Sequence, residues 1–237
     1  HIYLKGLKVE ATGTSARFEL GAMDVIRTGE FAIKVESENP ERQFLIGLVA
    51  YINVAIGRES LWAVYSKLKP DNSETNFNED LEYLCDQGFL LKSNDGYSLK
   101  NSNFRATAQE LLIDHGEASR EVLKIDLGEG LEADEAKFNH LLEANGSDDE
   151  IRNVCLRVIK NYQKNSSLQA ARDIALKYLE HKEFDMDDIR EETADFYLSL
   201  AWTLIQSAST ELQIAANMMY EKMLTLNLSE DQKEKTI

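Results

Sequence analysis

The amino-acid sequence predicts a mainly α-helical protein, with a small β-rich segment at its amino end and paired helices towards its carboxyl end. Three observations support this fold class. Apolar and polar residues alternate early in the chain, apolar residues then recur at helical spacing, and two sets of apolar positions late in the chain match each other. Four segments are expected, with the bounds 1–43, 44–116, 117–148 and 149–237.

Residues 1–43 have the pattern of short strands. Apolar and polar side chains alternate through 7–10 and 16–20. The later runs 24–27 and 31–35 flank the pair Thr28-Gly29, which suits a hairpin turn. About three or four short strands are too few for an independent sheet. We therefore expect this segment to pack on the domain that follows it.

Residues 44–116 have the pattern of three helices followed by a two-stranded hairpin. The apolar stripes of the three helices run from Phe44 to Ile56, from Leu61 to Leu68 and from Phe77 to Cys85. Beyond Gly88, two short apolar runs flank the sequence Asn94-Asp95-Gly96. Because these turn residues adopt positive φ at little cost, they predict a hairpin.

This order of elements, and the stretch Leu81–Leu99 in particular, resembles winged-helix domains, many of which bind DNA with the third helix. Here the third helix and its approach carry no Lys or Arg. They present instead Asn76, Asn78, Glu79, Asp80, Glu82 and Asp86. The chain has 42 acidic and 26 basic residues and a net charge of −16. Since nucleic-acid binding depends on cations that neutralise phosphates, we expect no nucleic-acid partner, and a winged-helix transcription regulator is the less favoured alternative.

Residues 117–148 are acidic and only weakly periodic. Gly128, Gly130 and the pair Asn145-Gly146 interrupt them. We expect an acidic helical connector, either solvated or a helical pair with irregular ends, and assign it no function.

Residues 149–228 contain two matching helical pairs. Ile151, Val154, Cys155 and Val158 share their relative spacing with Tyr197, Leu200, Ala201 and Leu204, 46 residues later. The second helices match in the same way, with Ala171, Ala175 and Tyr178 lying 45 residues before Ala216, Tyr220 and Met223. Small residues in each stripe allow two helix axes to approach closely, and stacked pairs share one core.

These positions resemble the tetratricopeptide pattern of a large residue, a leucine and a small residue in the first helix, and small and aromatic residues in the second. The period exceeds the family's length of about 34 residues, mostly through the acidic insertion 183–193, and Met223 stands where a small residue is usual. A generic array of helical hairpins is the alternative.

The tetratricopeptide resemblance implies a protein or peptide partner on the concave face of the first helices. The positions carried over to this chain are Arg152, Leu156, Ile159, Asp195, Leu198 and Trp202. Trp202 is the strongest candidate, because tryptophan is enriched at binding hot spots. The alternative for the apolar positions is that they pack against a neighbouring helix.

A winged helix followed by helical repeats is similar to the C-terminal half of STAND-type signalling ATPases. That resemblance implies a non-catalytic regulatory or sensor region, whose partner can be another domain of the same parent chain. Because no Walker motif is present and the chain opens on His1, we expect any ATPase domain to precede this fragment. The alternative is a free-standing adaptor protein.

The sequence predicts no active site, no cofactor and no metal. The histidines His1, His115, His140 and His181 do not have the spacing of metal ligands. Cys85 and Cys155 lie in apolar helical patterns and are expected to be reduced and buried. No apolar run is long enough to span a bilayer and no signal sequence is visible, so we expect a cytoplasmic protein without a membrane partner.

Overall fold

A computed structural model describes residues 34–112, 114–182, 186–207 and 209–226. The internal contacts divide the chain into a first unit, His1–Ile125, and a second unit, Asp126–Ile237. Helices form most of the described residues, and a two-stranded antiparallel sheet lies in the first unit. The predicted mainly α-helical fold class is therefore confirmed. In the described part of the chain, no helix is both long and apolar enough to cross a bilayer.

The predicted amino-terminal strands fall mostly on residues 1–33, which lie outside the described residues. At 34–36 the chain forms a helical turn, so the prediction that a strand continues to Val35 is wrong. The backbone amides of Ser37 and Glu38 donate to the carbonyls of Lys34 and Val35. These local hydrogen bonds take the place of a strand ladder.

The first unit contains five helices and two strands among its described residues. They are α1 (Pro40–Ile52), α2 (Arg58–Leu68), α3 (Glu74–Asp86), β1 (Leu90–Ser93), β2 (Gly96–Leu99), α4 (Arg105–Gln109) and α5 (His115–Val122). A 3-10 turn, Ser102–Phe104, precedes α4.

Helix α1 begins and ends four residues earlier than the apolar stripe that predicts it. The Asn39 side chain caps its amino end by accepting a hydrogen bond from the Arg42 amide at 2.8 Å. The helix ends at Ile52, because Asn53 adopts a left-handed conformation with φ 68°. Ile56 therefore lies outside the helix, and the prediction that the helical stripe reaches it is wrong.

The predicted hairpin is confirmed, and it has a third participant. Strands β1 and β2 pair from Leu90 opposite Leu99 to Ser93 opposite Gly96. Ile56 forms an isolated bridge to Tyr97, donating to its carbonyl at 3.0 Å and accepting from its amide at 2.8 Å. The connection between α1 and α2 is thus tied to the hairpin.

The core of the first unit surrounds α1, on which α3, α4 and β2 pack. The α1 side chains with no more than 1% exposure include Leu45, Ile46, Leu48 and Ile52. The rings of Trp62, Tyr65 and Phe77 lie 5.1 to 6.1 Å apart and join α2 to α3. Burial of these aromatic side chains is a large contribution to the stability of this unit.

The second unit contains five helices among its described residues. They are α6 (Leu131–Glu143), α7 (Asp148–Lys164), α8 (Leu168–His181), α9 (Ala194–Ile205) and α10 (Thr210–Leu224). Helix α7 packs on both α6 and α8, while α9 packs on α7, α8 and α10. Helix α6, in the segment expected to be a connector, buries Phe138 and Leu141 in this unit.

The eight matching positions of α7 and α9 are all buried. Their exposed fractions are at most 2%, and they are Ile151, Val154, Cys155, Val158, Tyr197, Leu200, Ala201 and Leu204. Burial raises the pKa of the Cys155 thiol. In the second helices the matching residues are buried except Tyr220, which is half-buried. The repeated spacing therefore marks residues of the core.

The acidic insertion 183–193 is anchored through its described part, 186–193. Its two 3-10 turns are Met186–Asp188 and Glu191–Thr193, and Ile189 between them is 1% exposed. The Thr193 hydroxyl donates to the Asp188 carbonyl at 2.6 Å. The connection from α8 to α9 is therefore held by one buried isoleucine and a local hydrogen bond.

Candidate partner-binding surface

Helices α7 and α9 lie side by side and run in the same direction. Near their amino ends Arg152 lies close enough to Tyr197 to influence its ionisation. Near their carboxyl ends the Gln163 amide donates to the Thr203 hydroxyl at 2.9 Å. Helix α8 is antiparallel to α9. The ring of Tyr178, near the end of α8, lies 4.8 Å from the ring of Phe196, near the start of α9. Arg172, near the start of α8, donates a hydrogen bond to the carboxyl end of α9.

The structure buries three of the six residues that the tetratricopeptide resemblance selects. Arg152 is 7% exposed, Leu198 5% and Ile159 0%, so these side chains pack within the unit. Leu156 is half-buried, whereas Asp195 and Trp202 are exposed. The candidates that are exposed or half-buried are therefore Leu156, Asp195 and Trp202.

The exposed side of α9 includes Asp195 and Trp202 as expected, but it carries Ser199 in place of Leu198. Its surface residues are Asp195, Ser199, Trp202 and Gln206, which follow helical spacing. Leu198 precedes this stripe and points into the core, and Ser199 takes its place at the surface. We define the α7–α9 face as Leu156, Lys160 and Gln163 of α7 together with Asp195, Ser199 and Trp202 of α9.

Three residues of this face, Lys160, Gln163 and Ser199, are absent from the sequence-based selection. The usable signal in α9 is polarity, because Asp195, Ser199 and Gln206 are polar residues at helical spacing in a mostly apolar helix. In α7 the periodic apolar residues mark the buried side of the helix. Lys160 does not belong to that set, so the pattern predicts that it lies on the exposed side. The contact of Gln163 with α9 joins residues distant in sequence and is seen only in the structure.

Gln163 fixes the spacing of the two helices across the α7–α9 face. Its amide nitrogen lies 2.9 Å from the Thr203 hydroxyl and 3.5 Å from the Ser199 carbonyl. Thr203 in turn donates to the Ser199 carbonyl at 2.7 Å. This shared network holds the backbone beside Trp202 in place, so the exposed indole is presented by a rigid support.

Arg152 belongs to a buried polar cluster and not to the exposed face. Its guanidinium donates to the Asp149 carboxylate at 2.7 Å and interacts with the hydroxyl of Tyr178. Tyr178 is hydrogen-bonded to Tyr197, and burial raises the pKa of both hydroxyls. The cluster joins α7, α8 and α9, which gives Arg152 a structural role in this unit.

The two ends of the α7–α9 face carry opposite charge. Acidic residues gather near the amino ends of α7 and α9, namely Asp148, Asp149, Glu150, Glu191, Glu192 and Asp195. Lys160 and Lys164 are exposed near the carboxyl end of α7. Acids at helix amino ends and bases at carboxyl ends complement the helix dipole.

The first unit has a separate open cleft of about 550 Å³ between the amino ends of α1 and α3 and the end of α2. Carboxylates and amides line much of it, including Glu41, Asp71, Glu79 and Asp80. Asp80 accepts a hydrogen bond from Arg42 at 2.7 Å. Among the residues that the structure describes, no three His, Cys, Asp or Glu side chains are placed to hold a metal ion.

Comparison with protein-family models, with curated proteins and with solved structures finds no match for this chain.

The Tyr162 hydroxyl of α7 donates to the Glu135 carboxylate of α6, and this contact predicts a stability that depends on alkaline pH. Burial and this hydrogen bond raise the pKa of Tyr162 from 10.0 to about 12. A raised folded-state pKa contributes stability below the unfolded pKa and loses it as pH rises through the folded one. The excess stability of wild type over Tyr162→Phe should shrink between pH 10 and 12, as measured by urea unfolding. A gap that stays constant across this window would contradict the assignment.

Proposed function

We propose that this chain is a non-catalytic interaction region, in which a winged-helix-like unit precedes tetratricopeptide-like helical pairs that bind a protein or peptide. The proposal rests on the side chains that the α7–α9 face exposes. Two parallel helices there present an exposed indole, Trp202, and a half-buried leucine, Leu156, beside polar side chains on a rigid support.

Helix packing supports the repeat-like interpretation of the second unit. In stacked helical hairpins, the first helix of one pair packs on both helices of the preceding pair. Helix α9 meets both α7 and α8 in this way. The positions matched between the pairs supply the shared core, and the small residues among them, Cys155 and Ala201, are fully buried.

The order of elements supports the winged-helix-like interpretation of the first unit. Three helices precede the hairpin, and the Ile56 bridge adds a short third segment to its sheet. The surface of α3 argues for a protein partner over DNA. Its exposed residues include Glu74, Glu79, Glu82 and Asp86, which would repel phosphates.

The proposed context is a regulatory or sensor region of a larger signalling protein, such as a STAND-type ATPase, whose partner can be another domain of the same chain. A free-standing cytoplasmic adaptor would use the same α7–α9 face. The residues encoded before His1 separate these two contexts, because only the first requires a nucleotide-binding domain there. Absence of a Walker motif upstream would remove the ATPase proposal and leave the adaptor.

Capture of partners with immobilised protein tests the function. Trp202→Ala removes the indole from the α7–α9 face, and Ile214→Ala is the matched control, because Ile214 is 54% exposed on α10. Proteins recovered with wild type and with the Ile214 variant should be lost with the Trp202 variant, whose unfolding free energy should fall by less than about 1 kcal/mol. Equal recovery with all three proteins would refute the proposed surface.

A further inference from the structure

Residues 34–38 form a short strap that leads into α1 and folds back on itself. The Lys34 carbonyl accepts hydrogen bonds from the amide and from the hydroxyl of Ser37, at 3.3 and 2.6 Å. The Glu38 amide donates to the Val35 carbonyl at 3.0 Å, and the Val35 side chain is 3% exposed. Since the strap connects α1 to the residues before 34, its position fixes where that part of the chain joins the helix.

A cluster of side chains centred on Arg42 of α1 holds the strap against α3. The Arg42 guanidinium donates to the Asp80 carboxylate of α3 at 2.7 Å and lies 3.5 Å from the Glu38 carboxylate of the strap. It also lies over the ring of Tyr83 of α3, 3.7 Å from the ring centre. The Tyr83 hydroxyl donates to the other Glu38 carboxylate oxygen at 3.3 Å. Arg42 therefore contacts the strap and α3 at the same time.

The closed position of the strap depends on this one guanidinium. The side chains of Glu38 and Asp80 are 9% and 12% exposed, and among the described residues Arg42 is the cation that pairs with both. Without it, two enclosed carboxylates of like charge would lack a cation, which is strongly unfavourable. The further contact from α1, in which the Gln43 amide donates to the Glu38 carbonyl at 2.9 Å, is an ordinary neutral hydrogen bond.

We propose that residues 34–38 form a releasable strap that Arg42 locks against α3, so that the first unit has a closed and an open state. Opening breaks the Arg42 contacts with the strap and exposes Val35. It leaves α1 in place, because that helix begins at Pro40 and is capped by Asn39, outside the strap. Such a local opening requires less free energy than global unfolding. The device belongs to the first unit and goes beyond the proposed function, since it does not involve the α7–α9 face.

Limited proteolysis with trypsin tests the lock. Lys34 is exposed, but the peptide bond that follows it lies in the closed turn and leads into the buried Val35. Cleavage there requires opening, so its rate reports the open population, and mass spectrometry of fragments that begin at Val35 measures it. Arg42→Ala should raise this rate about tenfold or more. Glu38→Gln keeps the size of the side chain but removes its charge, and should raise the rate in the same direction.

Arg58→Ala is the matched control. The Arg58 guanidinium of α2 also pairs with α3, through Glu74 and Asn78 near the start of that helix, whereas Arg42 pairs with the later part. Cleavage after Lys34 in this variant should stay within about twofold of wild type.

The proteolysis results decide the proposal in each case. An unchanged rate in Arg42→Ala would overturn it, as would an equal rise in Arg58→Ala, because cleavage would then follow a general loss of stability. Wild-type cleavage as fast as that of a free peptide containing residues 30–39 would show that the strap is not closed. If Arg42→Ala fails to fold, Glu38→Gln decides the result, and a rate equal to wild type would refute the lock.

Discussion

Replacing Gly96 by alanine is expected to destabilise the first unit by about 3 kcal/mol or more. Gly96 has a φ of +124°, and an added Cβ would lie 2.2 Å from the Ile56 carbonyl oxygen and 2.3 Å from its carbon. These are backbone atoms, so the overlap can be relieved only by separating the hairpin from Ile56. The substitution should therefore break the bridge that ties the α1–α2 connection to the sheet.

Gly57→Ala is the matched control, since an added Cβ at Gly57 meets no atom within 4 Å and its φ is −61°. Urea unfolding monitored through Trp62, in a Trp202→Phe background, reports on the first unit. The control should lose less than about 1 kcal/mol. Equal losses for the two variants would show that Gly96 does not lie against Ile56, and would remove the strongest support for the winged-helix-like interpretation.

Leu200→Ala is expected to cost the second unit about 3 kcal/mol. Leu200 is 0% exposed on α9, where it occupies one of the positions matched between the two helical pairs. Removing its side chain leaves a cavity in the core that α9 shares with its neighbours. Because α9 packs on α7, α8 and α10, little room exists for the cavity to collapse.

Leu224→Ala provides the matched control, because Leu224 is 62% exposed on α10 of the same unit. Its loss should stay below about 0.5 kcal/mol. Urea unfolding followed through Trp202, in the Trp62→Phe background, measures both variants. Similar small losses would mean that the repeated apolar positions do not form the core of this unit.

Local signals explain which parts of the first unit are predictable from sequence. The hairpin follows from Asn94-Asp95-Gly96, whose preference for a tight turn acts through neighbouring residues alone. The end of α1 is missed because Ile56 continues the helical spacing. The left-handed Asn53 ends the helix at Ile52, and Ile56 then pairs with Tyr97. That pairing joins residues distant in sequence, which periodicity does not detect.

The same distinction applies to the candidate surface. Trp202 is identified by residue type and resemblance, and the structure exposes it. Leu198 is selected in place of Ser199 because the tetratricopeptide resemblance carries over that position. Since α9 is apolar on nearly every side, its periodic signal is too weak to correct the choice.

The affinity of a captured natural partner tests the central claim, the role of the α7–α9 face, most directly. Titration calorimetry should compare wild type, Trp202→Ala and Ile214→Ala under the same conditions. The Trp202 variant should bind roughly 30-fold more weakly, which corresponds to a hot-spot loss of about 2 kcal/mol, and the control should bind with unchanged affinity. Equal affinities for wild type and Trp202→Ala, or a loss confined to Ile214→Ala, would contradict it.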